Sequence, residues 1–531
     1  MDSNKYSTKE VGMGEFFQLP NPNLREYLSD QAAGSSEVIR GTLYGKDSDP
    51  QNVLEAWAEI FYAKISKFKD LQGLIEFEED MRSKVGPMSV KKSLQDRMDS
   101  ILSYFTMPDD QAEPIRDAAF VAALRDKFNA VRGMRQQSLN KAIKEMKKST
   151  NSGAPFFTKR RVALKMMSQY SISETQQCIN GIQYSLAATL GWRGQEGGPN
   201  PEDTKQRVLW MFPMLGNIYE ATVYNPLING CQRRNLIPAW NGDDAVDQQI
   251  TRLFSTVPRD QAIISTDFTA FDQHFNVQLQ EAARKLLATL FGDINDWLDI
   301  IYPIKYTIPL VIDWGTAIYG RHGMASGSGG TNADETLVHS LLQQEAALAY
   351  GESLNPFSGC LGDDGILSFP GITPEKVMKV YTTHGLEMNE QKQYVSTDDC
   401  IYLRRWHSRY WMPNGINVGV YSTFRALGRL MFQERWYDPD IWNEKMVALR
   451  QLSIIENVRY HPLREEFLKF CMQGDEYRLG IDIPGFLDDI DVIAKEANES
   501  LPDFMSYSAT YNTRKLSSWW VVQQLKSYAD S

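Results

Sequence analysis

No stretch of this chain is both long and apolar enough to cross a bilayer. The most hydrophobic region, Ile300 to Val311, is interrupted by Lys305 and by prolines and falls short of the roughly 20 residues a membrane helix needs. A secretory signal is not expected, because the Met1-Asp-Ser-Asn-Lys5 start has no apolar core. Cysteine is scarce: five residues, at 178, 231, 360, 400 and 471, are scattered and odd in number. That excludes a disulfide framework and paired metal-ligand spacing, and reduced thiols in a cytosolic setting are expected. Internal repeats and low-complexity tracts are absent. So is a surplus of positive charge: 56 Lys and Arg face 67 Asp and Glu, a net charge of −11, an unusual balance for a chain that handles phosphate.

What is present suits a large folded protein. Hydrophobic residues make up 42% and aromatics 11% of 531 residues, which argues against long disorder and for several subdomains. The basic residues are clustered. Lys141, Lys144, Lys147, Lys148, Lys159, Arg160, Arg161 and Lys165 are set against Glu145 alone, while acid-rich stretches such as Glu76 to Asp80 lie elsewhere. This predicts a basic channel within an acidic exterior, with a solvated helix face as the plainer account of Lys141 to Lys148. Residues 1 to about 50 are polar and read as an arm, with Gly34-Ser-Ser36 as a possible linker.

Two acidic segments carry the chemistry. Gln261-Ala-Ile-Ile-Ser-Thr-Asp267 reads as a strand, and Phe275, Leu279, Ala282, Leu286 and Leu290 recur at helical spacing. Asp267 is therefore expected at a strand end and Asp272 at a helix start. About a hundred residues on, Cys360-Leu361 and Ile366-Leu-Ser-Phe369 flank Gly362-Asp363-Asp364, which predicts a hairpin with carboxylates at its tip. Mg²⁺ prefers such hard oxygen ligands and is commonly held by one or two carboxylates plus substrate phosphates. A second Gly-Asp-Asp, at 242 to 244, opens the amphipathic stretch Ala245 to Phe254; there the aspartates read as first-turn helix charges with no catalytic role. Between the acidic segments lies Ser326-Gly-Ser-Gly-Gly-Thr331, whose bare backbone is able to approach a nucleotide closely.

The order Asp267-x4-Asp272, Ser326-Gly-x3-Thr331, Gly362-Asp363-Asp364 resembles the viral RNA-dependent RNA polymerases, most of all those of picobirnaviruses, with partitivirus-like enzymes next. The resemblance implies an α+β right-hand fold with an antiparallel palm sheet flanked by helices and a mostly helical thumb. It implies an arm at 1–50, fingers with part of the palm at 51–260, palm at 261–421, and thumb with C-terminal tail at 422–531. The implied activity is two-metal nucleotidyl transfer that replicates and transcribes a viral, double-stranded RNA genome. Mg²⁺ is the expected cofactor, replaceable by Mn²⁺. RNA template and product, nucleoside triphosphates and viral capsid protein are the expected partners of a monomer that uses no membrane and works in the virion interior and host cytoplasm.

By the same resemblance, Asp267, Asp363 and Asp364 hold metal, Asp364 as the outer ligand, and Asp272 faces the incoming ribose. Where many relatives have an Asn nine residues after the motif serine, this chain has Glu335, and Asn332 comes earlier, beside Thr331. Ser326, Gly327, Thr331, Asn332 and Glu335 are expected around the nucleotide. Lys205 and Arg207 resemble the basic motif that meets the triphosphate, and Lys392 the lysine that protonates departing pyrophosphate. Ser152 and Gly153, in Thr150-Asn-Ser-Gly153-Ala-Pro155, resemble a template loop that, with Lys159, Arg160 and Arg161, would contact RNA. Arg404 and Arg405, in Tyr402-Leu-Arg-Arg-Trp406, resemble the hairpin that supports the primer or product strand, with a plain strand bearing outward arginines as the competing account. The tail aromatics Tyr507, Tyr511, Trp519 and Trp520 read first as core and second as an initiation platform. A reverse transcriptase, disfavoured by Asp272, and a noncatalytic, capsid-associated RNA-binding protein are the alternatives.

Overall fold

The computed structural model of the chain describes residues 5–41, 48–106, 111–500 and 515–530; Tyr507 and Tyr511 lie outside them. The chain divides into two units, the first drawn from 1–34, 92–192 and 208–403, the second from 35–91, 193–207 and 404–531.

In the first unit, the polar start is an edge strand, Tyr6–Glu10, paired antiparallel with Thr316–Gly320, which in turn pairs with Leu310–Asp313. Ala188–Gln195 joins the same sheet in parallel, followed by Lys205–Met211. Lys305, which breaks the apolar run in the sequence, is fully buried. Its Nζ lies 3.1 Å from the carboxylate of Asp334 and donates to the Tyr224 hydroxyl at 2.8 Å. The Tyr224 and Tyr306 hydroxyls each donate to Asp334 at 2.7 Å. Burying two opposite charges is tolerable only because these partners satisfy them.

A second sheet in this unit has the order Gly359–Leu361, Asp364–Leu367, Ile263–Thr266, Tyr394–Ser396, with each neighbouring pair antiparallel. The predicted helix after Asp272 begins later than its apolar spacing suggests. Asn276 caps Val277–Leu290 by accepting from the Gln278 and Leu279 N–H groups at 3.0 and 3.3 Å. Phe275 therefore belongs to the preceding turn, and Asp272 sits in that turn, where its carbonyl accepts from the Met324 N–H at 2.9 Å. The helix Thr331–Leu348 is buried at every position from Ala333 to Ala347. A helix enclosed on all sides is the pattern of a core element. Asp243 and Asp244 fall in the first turn of Asp243–Thr256, with Gly242 before it.

The second unit is mostly helical, with Pro50–Ile65, Gln72–Lys84, Thr423–Met431, Glu444–Ile455 and Arg464–Gly474 among its helices. Glu76 to Asp80 is not wholly exterior, because Glu78 is fully buried. Its carboxylate accepts from the Thr423 and Phe424 N–H groups at 2.8 and 3.3 Å and from the Ser422 and Thr423 hydroxyls at 2.5 and 2.8 Å. His461 Nε2 lies 2.8 Å away. Negative charge at a helix N-terminus complements the unpaired N–H groups there. Trp519 is buried, and Glu456 caps the helix that follows it through the Trp520 and Val521 N–H groups. Among the described residues all five cysteines are free, and no helix is long and apolar enough to cross a membrane.

Candidate active site

The strand Ile263–Thr266 decides where the carboxylates go. Thr266 stands opposite Gly365 of the neighbouring hairpin strand, so Asp267, the next residue, leaves the sheet at the end where the hairpin turns through Gly362 and Asp363. Asp267 and Asp363 are exposed, while Asp364 and Asp272 are partly buried. Gln393 fixes the Asp267 backbone in both directions: its Oε1 accepts from the Asp267 N–H at 3.0 Å and its Nε2 donates to the Asp267 carbonyl at 2.8 Å. The Leu403 N–H donates to Asp364 Oδ2 at 3.0 Å, which commits one oxygen of that carboxylate to the chain. Lys392, beside Gln393, is exposed on a short 3-10 turn, Glu390–Lys392.

The hairpin tip is suspended from the buried helix. Gly362 donates its N–H to Thr336 Oγ1 at 2.9 Å and its carbonyl lies 2.9 Å from His339 Nδ1. Burial pushes His339 down to about 4, so the ring is neutral near pH 7 and the carbonyl holds its proton on Nδ1. Gln343 Nε2 bonds the carbonyls of Gly359 and Ile366 at 2.9 and 3.2 Å. Gly362 has a φ of 59°, the left-handed conformation that glycine adopts without strain.

Glu335, on the same helix, is buried and hydrogen-bonded to Asp272. Burial, reinforced by the negative charges of Asp272, Asp363 and Asp334, holds its carboxyl protonated well above the usual carboxylate range. Among the described residues its Oε1 has no hydrogen-bond partner. The structure thus brings Asp272 and Glu335 into one pair within the field of Asp363. Asn332 is exposed and accepts from the Trp240 indole at 2.8 Å.

The glycine-rich loop is packed as well as bare. A Cβ on Gly327 would stand 1.6 Å from the Trp210 carbonyl oxygen, so close backbone approach already demands glycine there. Ser326 Oγ donates to the Val208 carbonyl at 3.3 Å, and Thr331 Oγ1 to the carbonyls of Ala325 and Ser328 at 3.2 and 3.1 Å.

The basic candidates are more dispersed. Lys205 and Arg207 are both exposed, two residues apart on Lys205–Met211, and so share one face of that strand. Ser152 is buried, its Oγ accepting from the Thr158 N–H at 3.1 Å, and Gly153 takes a φ of 61° against the Phe212 carbonyl. Ser152 thus braces its own loop, and Gly153 lets that loop approach Phe212. The N–H groups of Arg160 and Arg161 donate to the carbonyls of Thr150 and Lys148 at 2.8 and 3.0 Å, which draws the two halves of the basic cluster together. Lys159 and Arg161 are exposed and Arg160 partly buried. Leu403 and Arg404 form a left-handed turn with φ of 52° and 60°. Arg404 is exposed, but Arg405 is not outward. All of Arg405–Ser408 is buried, and the Arg405 guanidinium donates to the Gly419 carbonyl at 3.0 Å.

Sequence reasoning missed Gln393, whose partner is 126 positions away and whose side chain follows no motif. Among the described residues no group of three or more His, Cys, Asp or Glu side chains stands ready to hold a metal ion.

An aspartate strand end beside an acidic hairpin, with a glycine-rich loop leading into a buried helix, defines a nucleotidyl-transfer palm. The family model for viral RNA-dependent RNA polymerases matches residues 80–417, and the chain belongs to that family. It is 50% identical to a potential RNA-dependent RNA polymerase of human picobirnavirus (strain Human/Thailand/Hy005102/-), over 97% of this chain and 98% of that one. Crystal structures of a human picobirnavirus RNA-dependent RNA polymerase and of its insertion-loop deletion mutant superpose with TM-scores of 0.92 and 0.91. Each is 48% identical and covers 98% of this chain and 100% of its own. The fold is accordingly an α+β polymerase fold and the activity RNA-directed RNA polymerisation, which sets aside the reverse-transcriptase and noncatalytic readings.

Proposed function

We propose that this polymerase copies a double-stranded RNA genome, and that Asp267 and Asp363, with Asp364 in support, form the metal-holding edge of its active centre. The observation that carries this reading is the register of Ile263–Thr266 against the hairpin, which delivers Asp267 and the Gly362–Asp363 turn to one sheet end. The donor set fits Mg²⁺: the ligands are carboxylate oxygens, two of the three carboxylates are exposed, and substrate phosphates would complete the shell. Bound there, Mg²⁺ would neutralise charge developing on the attacking and leaving oxygens.

The chain's own groups do the rest by placement. Gln393 holds the Asp267 backbone while the 3′-hydroxyl of the growing strand, losing its proton to solvent, attacks the α-phosphate and pyrophosphate leaves. Lys392 donates a proton to that leaving group, and Lys205 and Arg207 offer charge to the triphosphate. Lys159, Arg160, Arg161 and Arg404 contact RNA phosphates; Ser152, Gly153 and Arg405 support the backbone around such contacts. Capsid protein as partner, and the virion interior and host cytoplasm as the place of work, complete the proposal.

The Asp272–Glu335 pair reads the ribose. Glu335, its acid proton shared with Asp272, leaves an unpartnered Oε1 that would accept the hydrogen of a 2′-hydroxyl, the group that separates RNA from DNA chemistry. Asp272→Ala is therefore expected to narrow the preference for ribonucleotides over deoxynucleotides by roughly 10- to 100-fold, read as the ratio of kcat/KM for the two triphosphates on one RNA template. An unchanged ratio would remove the ribose role from this pair.

A further inference from the structure

Glu220 is a buried acid that the proposed chemistry leaves unused. It lies on the helix Met214–Arg233, 1% exposed, and faces the glycine-rich loop. The Ser328 hydroxyl donates to its Oε2. The Gly329 N–H donates to its Oε1 at 3.2 Å, shared with Asn217 Oδ1 at 3.2 Å. The Gly330 N–H in turn donates to Ser328 Oγ at 3.1 Å. One carboxyl thus heads a run of donors through three consecutive loop residues, ending where the helix Thr331–Leu348 begins.

We propose that Glu220 is a positioning residue for polymerisation, its carboxylate latching the Ser328–Gly330 turn in the shape that receives RNA. The inference rests on the reading of this loop as part of the substrate site. An ionised carboxylate accepts from the Ser328 hydroxyl and the Gly329 N–H at once, and its charge strengthens both bonds; protonation removes that charge, weakens both and leaves one oxygen a donor. Burial raises Glu220 to about 7, opposed by the Lys305 charge and by the Ser328 and Gly329 donors and reinforced by Asp334. Lys305 comes from the segment Ile304–Thr307 and Asp334 from the loop's own helix. Tyr224, one turn along the Glu220 helix, joins these two through its hydroxyl. The latch is accordingly closed above about pH 7 and slack below it.

The test is steady-state incorporation by the full-length chain between about pH 6 and 8.5, with KM for a single-stranded RNA template and kcat read separately. The wild type is expected to show a template KM that falls about tenfold as pH rises through this range. Glu220→Gln, which cannot ionise, is expected to keep the low-pH KM throughout, with kcat changed less than KM. Ser328→Ala retains the acid but cuts the link to the loop, and is expected to flatten the profile in the same way. It decides the matter alone if a thermal melt shows that Glu220→Gln does not fold. A wild-type KM profile that survives in Ser328→Ala or in folded Glu220→Gln overturns the latch, as does a wild type whose template KM is already flat. If Asp363→Ala polymerises as well as the wild type, the active-centre reading beneath the latch fails instead, which keeps the two failures apart.

Discussion

Asp363→Ala is expected to lower nucleotide incorporation by at least about 1000-fold, with Asp267→Ala equally severe and Asp364→Ala milder. Removing a single group that stabilises transition-state charge typically costs 10²–10³ in rate, and Asp363 and Asp267 would each ligate the ion that neutralises both reacting oxygens. Asp364 already gives one oxygen to the Leu403 N–H, so less of it is available to metal. The measurement is incorporation of labelled nucleotide on a single-stranded RNA template with Mg²⁺, alongside a thermal melt. Fold stability is expected to hold, because Asp363 and Asp267 are exposed. Equal activity in the Asp363 variant would reject the metal site, and a collapsed melt would show that the residue supports the fold.

A comparable loss, of stability in this case, is expected from Glu78→Ala. The side chain is fully buried and serves two N–H groups, two hydroxyls and His461 at one helix start. Deleting one partner of such a buried pair costs about 3–5 kcal/mol, a fall in melting temperature on the order of 10 °C. Glu78→Gln is expected to lose less, since an amide oxygen still accepts but no longer complements the helix N-terminus with charge. A melt of the alanine variant within about 2 °C of the wild type would contradict the capping role.

How far the sequence went depended on the range of each interaction. The acidic hairpin was legible because a tight turn between two apolar runs is a local signal, and the second Gly-Asp-Asp was set aside on equally local grounds, the amphipathic stretch behind it. Phe275 misled the reading of Asp272: an apolar residue one position before a capping Asn extends a helical spacing that the backbone does not follow. Glu78 was grouped with its acidic neighbours as exterior. Its spacing from Leu74 and Phe77, which are also buried, places it on the inward stripe and was the available clue. Gln393 and Glu220 act on residues 126 and more than a hundred positions away, and neither belongs to a pattern. Arg405 is outward only in the plain-strand account of that segment, and the strand it begins is buried throughout.

The enclosure of Thr331–Leu348 reaches beyond packing. Most helices own a wet side where substitutions pass unnoticed, so a scan of every replacement along them ripples with the helical turn. From Ala333 to Ala347 no position is exposed, and a scan of viral fitness across it is expected to show an unbroken trough. For a virus copying itself with errors, those fifteen consecutive positions offer little neutral ground.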